Sequence, residues 1–254
     1  MTKTFSVSKK VGLVALILMA SAFGLFAQTP SMDGVDSLKI DGVGQVLILQ
    51  NDDNAIEASD VELVKEGTLL TINGTEADTV AIKLADLQTL HIYGNSAVTL
   101  EGFSMDHKVS LYMADSSKLT LATPLEVDGL RGSVNSSAVL TGSIISNDVV
   151  LRVSGTADLS GKMGYFESHV SGNGELLSDA LEVQEGRVIV RDYGKMNGSF
   201  PGAPLMTVKM SGDSSAAIKT TGLISLDIED DATFGYDGRL LTTGVEEDTT
   251  IYKL

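Results

Sequence analysis

The chain of 254 residues contains no cysteine and no tryptophan. Without cysteine there is no disulfide, no thiolate metal site, no lipid-bearing cysteine and no cysteine nucleophile. Aromatic residues make up only 5%. The core must therefore rest on Val, Leu, Ile, Ala and Met, and a transmembrane barrel with two aromatic girdles is poorly supported. Four prolines stand against 26 glycines, a balance that points to many turns rather than to collagen or disorder. Cations are also short, with 18 Lys and Arg facing 34 Asp and Glu for a net charge of −16. Nucleic acid and anionic membranes both require clustered Lys or Arg, so neither is an expected partner. A solvated acidic surface is the plain reading of that charge. After residue 27 no apolar pattern of helical period runs for ten residues, so no substantial helix is expected. Nothing there is long and apolar enough to span a bilayer.

At the N-terminus, residues 1–27 have the layout of a secretory signal peptide: Lys3, Lys9 and Lys10, then an apolar run over 11–19, then small residues with cleavage after Ala22 or Ala27. The competing reading is a retained anchor, for which residues 11–27 are barely long enough. This segment holds three lysines and no acid, so its removal takes the formal charge from −16 to about −19. Residues 28–34 read as a flexible lead-in, and 35–254 as a single domain.

Within that domain, residues 90–234 repeat one phrase, in which an alternating apolar run leads into a knot of small polar residues. Asn135-Ser136-Ser137-Ala138-Val139-Leu140-Thr141-Gly142 and Ser154-Gly155-Thr156-Ala157-Asp158-Leu159-Ser160-Gly161 match in residue type position for position. Marking each copy just after its polar pair gives Ala97, Lys118, Ala138, Ala157, Gly174, Gly194, Ala216 and Ala232, in steps of 16 to 22 residues. A drifting period near twenty indicates a repeat architecture. The alternation has period two, as in Leu90 and Ile92, Leu111 and Met113, or Ile224, Leu226 and Ile228, so each apolar run is a strand with one buried face. Near-identical phrases at this interval fit stacked coils better than the hairpins of a sandwich. The expectation is an all-β, single-stranded parallel β-helix with coils of about 20 residues. Eight marked coils span roughly 35–40 Å at about 4.8 Å each. Residues 35–89 offer strands at 37–40, 46–50, 55–58, 61–64, 69–72 and 79–84 and read as an N-terminal capping region, and a strand at 87–93 opens the repeat block. Residues 235–254 read as a C-terminal cap, because open stacks expose sheet edges that must be blunted.

Candidate chemistry is thin. His91, His107 and His169 stand apart, with no HExxH spacing, and the many serines include no Gly-x-Ser-x-Gly elbow. Asp52-Asp53, Glu229-Asp230-Asp231 and Asp237 are the acidic groups to consider for glycoside cleavage, which needs two carboxyls across a cleft. Arg131, Arg152, Arg187 and Arg191, the bases that would neutralise an acidic sugar, are scattered singly. Asp and Asn at bends offer oxygen ligands for Ca²⁺, but no Asp-x-Asp-x-Asp-Gly loop occurs. No catalytic, cofactor or metal residue is therefore assigned.

Several phrases resemble the GIN-domain family, described as putative auto-transporter adhesin head domains of exported bacterial proteins. They are Val61-Glu62-Leu63-Val64-Lys65-Glu66-Gly67-Thr68-Leu69-Leu70-Thr71-Ile72, Val80-Ala81-Ile82-Lys83-Leu84 with residues 87–98, and the bends Val153-Ser154-Gly155, Val170-Ser171-Gly172 and Met210-Ser211-Gly212. Asp115-Ser116 and Arg191-Asp192 depart from the Ser-Gly pattern, which puts the register of those coils in question. The resemblance implies a right-handed β-helix, an envelope or extracellular location (periplasm, outer surface or beyond) and an adhesion role. The expected function is a non-enzymatic envelope protein that displays a polar β-helix face to a glycan or protein. The alternatives are a β-helix polysaccharide lyase or hydrolase and a purely structural envelope component.

Overall fold

Two residues apart along each apolar run, side chains point to the same side, and in this protein that side is always the interior. The structure, a computed structural model, describes residues 30–254. The expected signal segment at 1–27 and the start of the lead-in lie outside the described residues. Met32–Leu254 form one compact unit. All regular structure among the described residues is strand.

The first strands are β1 (Ser37–Asp41), β2 (Gln45–Gln50), β3 (Ala55–Ala58), β4 (Glu62–Glu66), β5 (Leu69–Asn73) and β6 (Thr79–Leu84). The repeat block holds β7 (Thr89–Tyr93), β8 (Ala97–Glu101), β9 (Lys108–Met113), β10 (Lys118–Leu121), β11 (Leu125–Val134), β12 (Val139–Val153), β13 (Thr156–Val170) and β14 (Glu175–Ser178). It continues through β15 (Leu181–Val190), β16 (Lys195–Phe200), β17 (Leu205–Met210), β18 (Ser215–Ile228), β19 (Thr233–Val245) and β20 (Thr250–Lys253).

Coils stack in parallel and form two long sheets. Sheet I runs β4, β5, β1, β7, β9, then the C-terminal parts of β11, β12 and β13, then β15, β17 and the ends of β18 and β19. Sheet II runs β3, β6, β2, β8, β10, then the N-terminal parts of β12 and β13, then β14, β16 and the starts of β18 and β19, ending in β20. In the middle coils a short third side forms where Glu126, Ile145, Lys162 and Glu182 are register neighbours. This is the expected parallel β-solenoid.

One corner sets the register. The residue just before each sheet II strand is Ser96, Ser117, Ala138, Gly155, Gly174, Gly194, Ser214 or Ala232. Its carbonyl accepts a hydrogen bond of 2.8–3.0 Å from the next coil, from Lys118, Val139, Thr156, Glu175, Lys195, Ser215, Thr233 and Thr250 in turn. All eight residues are buried, and all are small because the coil beneath leaves no room. A Cβ on Gly155 would stand 2.5 Å from the Ala138 carbonyl oxygen, and one on Gly174 would stand 2.3 Å from that of Val153. The sequence marker falls in this column at Ala138, Gly174, Gly194 and Ala232 and is displaced by one or two positions at the other four.

At the same corner the chain passes through left-handed backbone. Gly94, Gly172 and Gly212 do so at φ 62°, 59° and 68°, and Asp115, Asp192 and Asp230 at 63°, 59° and 58°. Asp is among the few L-residues that tolerate this region. Each of these aspartates also accepts a hydrogen bond from the preceding coil's glycine: Gly94 N–H to Asp115 at 3.1 Å, Gly172 N–H to Asp192 at 3.3 Å, and Gly212 N–H to Asp230 at 2.9 Å. The two bends that lack a Ser-Gly pair therefore keep full register. Aspartate takes the glycine position and adds an inter-coil bond.

The interior is aliphatic, as expected, but it also takes every phenylalanine of the described residues. Phe103, Phe166, Phe200 and Phe234 are all at most 1% exposed, and the Phe166 and Phe200 rings lie 6.3 Å apart. The N-terminal end differs from a simple sequential stack. The layer of β5 and β6 lies outside that of β1 and β2, and β3 and β4 close the end by antiparallel pairing. At the other end β19 and β20 continue the parallel stack as its last layer, with Leu241, Val245 and Tyr252 about half exposed.

Two substitutions check the corner. Gly174→Ala should lower the urea midpoint, with a loss of about 1–3 kcal/mol from overpacking. Asp115→Ala should destabilise more than Asp115→Gly by about 1 kcal/mol, because only alanine adds left-handed strain to the lost hydrogen bond.

Candidate functional site

Because the strands are in register, outward residues of sheet I line up in rows across the coils. One row reads Lys39, His91, Tyr112, Ser133, Arg152, His169, Ile189, Lys209, Asp227. The next reads Ser110, Arg131, Val150, Glu167, Arg187, Thr207, Ser225, Leu241. A third reads Lys108, Gly129, Asp148, Tyr165, Glu185, Leu205, Leu223, Arg239. Seven Lys and Arg share these rows with four carboxylates, in a chain where acids outnumber Lys and Arg 34 to 18. Three of the four arginines that read as scattered, Arg131, Arg152 and Arg187, meet on this one face. Arg191 falls at the corner beyond β15.

Ion pairing occupies most of these charges. Arg131 binds Asp148, with Lys108 Nζ at 3.9 Å from the same carboxylate. Glu167 accepts from the Tyr165 hydroxyl at 2.5 Å, contacts His169 Nε2 at 2.6 Å, and has Arg187 at 3.8 Å. Lys209 bonds Asp227 at 2.9 Å. Arg152 has no ion pair among the described residues and is exposed. The hydrogen bond from Arg131 holds the Asp148 carboxyl below its usual range. The bonds from Tyr165 and His169 do the same for Glu167. The reciprocal bond to Glu167 pushes the Tyr165 hydroxyl up to about 12.

At the N-terminal part of the face the rings of His91, Tyr93 and Tyr112 form a cluster, with centroids 5.4–6.2 Å apart. Lys39 Nζ lies 5.5 Å from the Tyr93 ring centre, a cation–π distance. Burial, then the nearby Lys39 charge, pulls the His91 pKa down, so His91 is a neutral ring at pH 7. Asp41 stands at the rim beside Tyr93. Ile189 is 5% exposed although it points outward and lies outside the core cluster. Its register neighbours are His169 and Lys209, and lysine stems cover apolar surface in this way.

The third histidine, His107, sits elsewhere. Its Nε2 is 2.5 Å from Asp86 in an open groove of about 500 Å³ that Gln50, Ser104 and Met105 also line. That bond to Asp86, aided by the Lys108 carbonyl, raises its pKa. The three histidines do not converge, and no group of three His, Asp or Glu suited to a metal occurs among the described residues.

The acidic candidates are also apart. Asp52 and Asp53 lie in the connection from β2 to β3, while Glu229, Asp230 and Asp231 occupy a corner eight layers away, roughly 38 Å at about 4.8 Å per layer. Asp230 is engaged by Gly212, and Asp237 lies opposite Lys219 within the sheet. Sequence reasoning missed Tyr165, Glu167 and Asp148. Their outward parity was readable, but their proximity to Arg131 and Arg187 depends on coil register.

No model of a known protein family matches the chain, and no curated protein is similar to it in sequence. Solved structures do share its fold. A putative adhesin from Parabacteroides distasonis aligns over 87% of this chain and 92% of its own, with 16% identity and a TM-score of 0.63. A putative adhesin from Parabacteroides merdae aligns over 89% and 94%, at 16% identity and 0.58. A protein described as a putative lipid binding protein, also from P. distasonis, aligns over 89% and 94%, at 15% and 0.55. At these identities the likeness is one of fold.

An ultraviolet titration checks the network on the face. One tyrosine should resist ionisation until about pH 12, and Glu167→Gln should bring it down into the ordinary range. Glu167 and Asp148 are both depressed, so the stability they add is present above the unfolded carboxylate range near ~4. That stability should fade in acid as pH falls through their folded values.

Proposed function

We propose that the protein is an exported, non-enzymatic envelope component that works by display, holding a flat, in-register face of outward side chains toward a glycan or protein partner. The observation that carries this reading is the outer face of sheet I: long, and set with charged and aromatic residues in straight rows. Strand register pre-organises such a face, so a partner meets side chains whose ordering cost is already met by folding. The signal-like N-terminus and the adhesin names of the fold neighbours support the same reading.

Two other readings draw on specific observations. The neighbour named for lipid binding raises an interior lipid site. The void among Leu87, Leu111, Leu130, Leu140 and the surrounding aliphatic residues is only about 10 Å³, room for one water molecule at most, so an acyl chain has no room there. A carbohydrate-cleaving reading draws on the cluster of Tyr165, Glu167, His169 and Arg187. There the tyrosine proton is held more tightly than usual, the wrong direction for a base at neutral pH, and the cluster lies on an open sheet face.

Fractionation of the source cells, with protease added to intact cells, checks export and display. The protein is expected in the envelope or medium and accessible at the surface. A wholly cytoplasmic pool would overturn the reading. In parallel, the purified chain is expected to release no oligosaccharide from any polysaccharide in a panel, and turnover would shift the assignment to the carbohydrate-active class.

A further inference from the structure

We infer that the outer face of sheet I is a binding strip for an acidic polysaccharide, with Arg152 taking a uronate carboxylate or sulfate ester and the Tyr93–Tyr112 pair taking the face of a nearby sugar ring. The inference rests on the display reading and names the class of ligand to which the face is turned.

Three observations carry it. The first is charge segregation: four of the five arginines lie on this face, against the strongly acidic balance of the whole chain. A chance distribution on a solvated acidic surface would intersperse them. The second is pairing. Asp148, Glu167 and Asp227 are each engaged by a cation of the face, whereas Arg152 remains exposed and unpaired between Ser133 and His169. A guanidinium presents a planar fork matched to carboxylates and to sulfate-like oxyanions. The third is the aromatic pair two layers away from Arg152, across Ser133. That separation is roughly 10 Å at about 4.8 Å per layer. Tyr112 is 36% exposed, so an apolar ring surface with a polar rim is open to a sugar.

Spacing and field separate this ligand from other polyanions. Duplex DNA carries a charge about every 1.7 Å, whereas the rows of the face advance about 4.8 Å per coil and alternate cations with carboxylates and hydroxyls. A chain with no more than one anionic group per sugar suits that sparse pattern, and a dense polyphosphate does not. An anionic bilayer would find little apolar surface to take up on these rows, whose exposed large aliphatics are Leu205 and Leu241 at the far end.

The experiment is titration of the purified chain with polygalacturonate and dextran sulfate, alongside neutral dextran, duplex DNA and phosphatidylglycerol vesicles. Both acidic polysaccharides should bind, and binding should weaken as salt rises from about 50 to about 200 mM. Arg152→Gln should weaken it about tenfold, while Lys118→Gln, which removes the same charge from sheet II, should leave it unchanged. Tyr112→Ala should weaken it with the salt slope intact, since stacking releases no counterion. Circular dichroism should be unaltered throughout, because all three side chains are exposed. Equal losses from Arg152→Gln and Lys118→Gln, tighter binding to DNA or vesicles, or no binding to either acidic polysaccharide would overturn the inference. Binding to neutral dextran alone would also overturn it while leaving the display reading intact. That reading stands or falls separately on the surface-protease result.

Discussion

The structure depends on one repeated hydrogen bond at one corner. The carbonyl of a small, buried residue accepts from the backbone of the next coil, and this happens eight times from Ser96 to Ala232. Each such bond contributes only about 1 kcal/mol net, but together they place every coil over the last. Apolar side chains two apart then stack inside, and polar ones stack outside, without any element having to recognise a distant one. Coil length can drift because the residues ahead of the bonded one absorb the variation. The tight Ser154-Gly155 corner has lost residues that the Asn135 to Ala138 corner keeps, and both meet the same ladder.

Much of this was legible in the chain. The strands at 55–58 and 79–84 are legible to the residue, and the repeat by itself implies parallel stacking. What escaped has physical causes. Asp115 and Asp192 look like breaks in a Ser-Gly pattern, but the requirement at the corner is left-handed backbone and not a particular residue. Aspartate meets that requirement while adding a bond to Gly94 or Gly172. The marker slipped at Ala97 and Lys118 because a small residue in the column, Ser96 or Ser117, resembles its polar neighbours in sequence. The layer order at the N-terminus escaped because alternation reports which face is buried and says nothing about which neighbour covers the edge.

The cationic face shows why net charge is a poor guide to a solenoid's surface. Composition describes the whole envelope of the molecule, whereas register sorts residues by their position within the coil. Arg131 and Arg187 are far apart in the chain, yet register sets both in a single row with Glu167, Arg187 next to it and Arg131 beyond Val150. Reading such a chain for function therefore means folding it into columns first, and only then looking for clusters.

The inverted layers at the N-terminal end bear on how the protein comes into being. Strand β1 leaves the ribosome first among the described strands, yet its two sheet neighbours are β5 and β7, so it gains its first partner only when the chain has been made through Asn73 and its second only through Tyr93. The stack cannot grow like a column of bricks laid from the first residue. Its foundation is completed only when a later segment closes over it, so one edge of β1 stays open until β7 has been made.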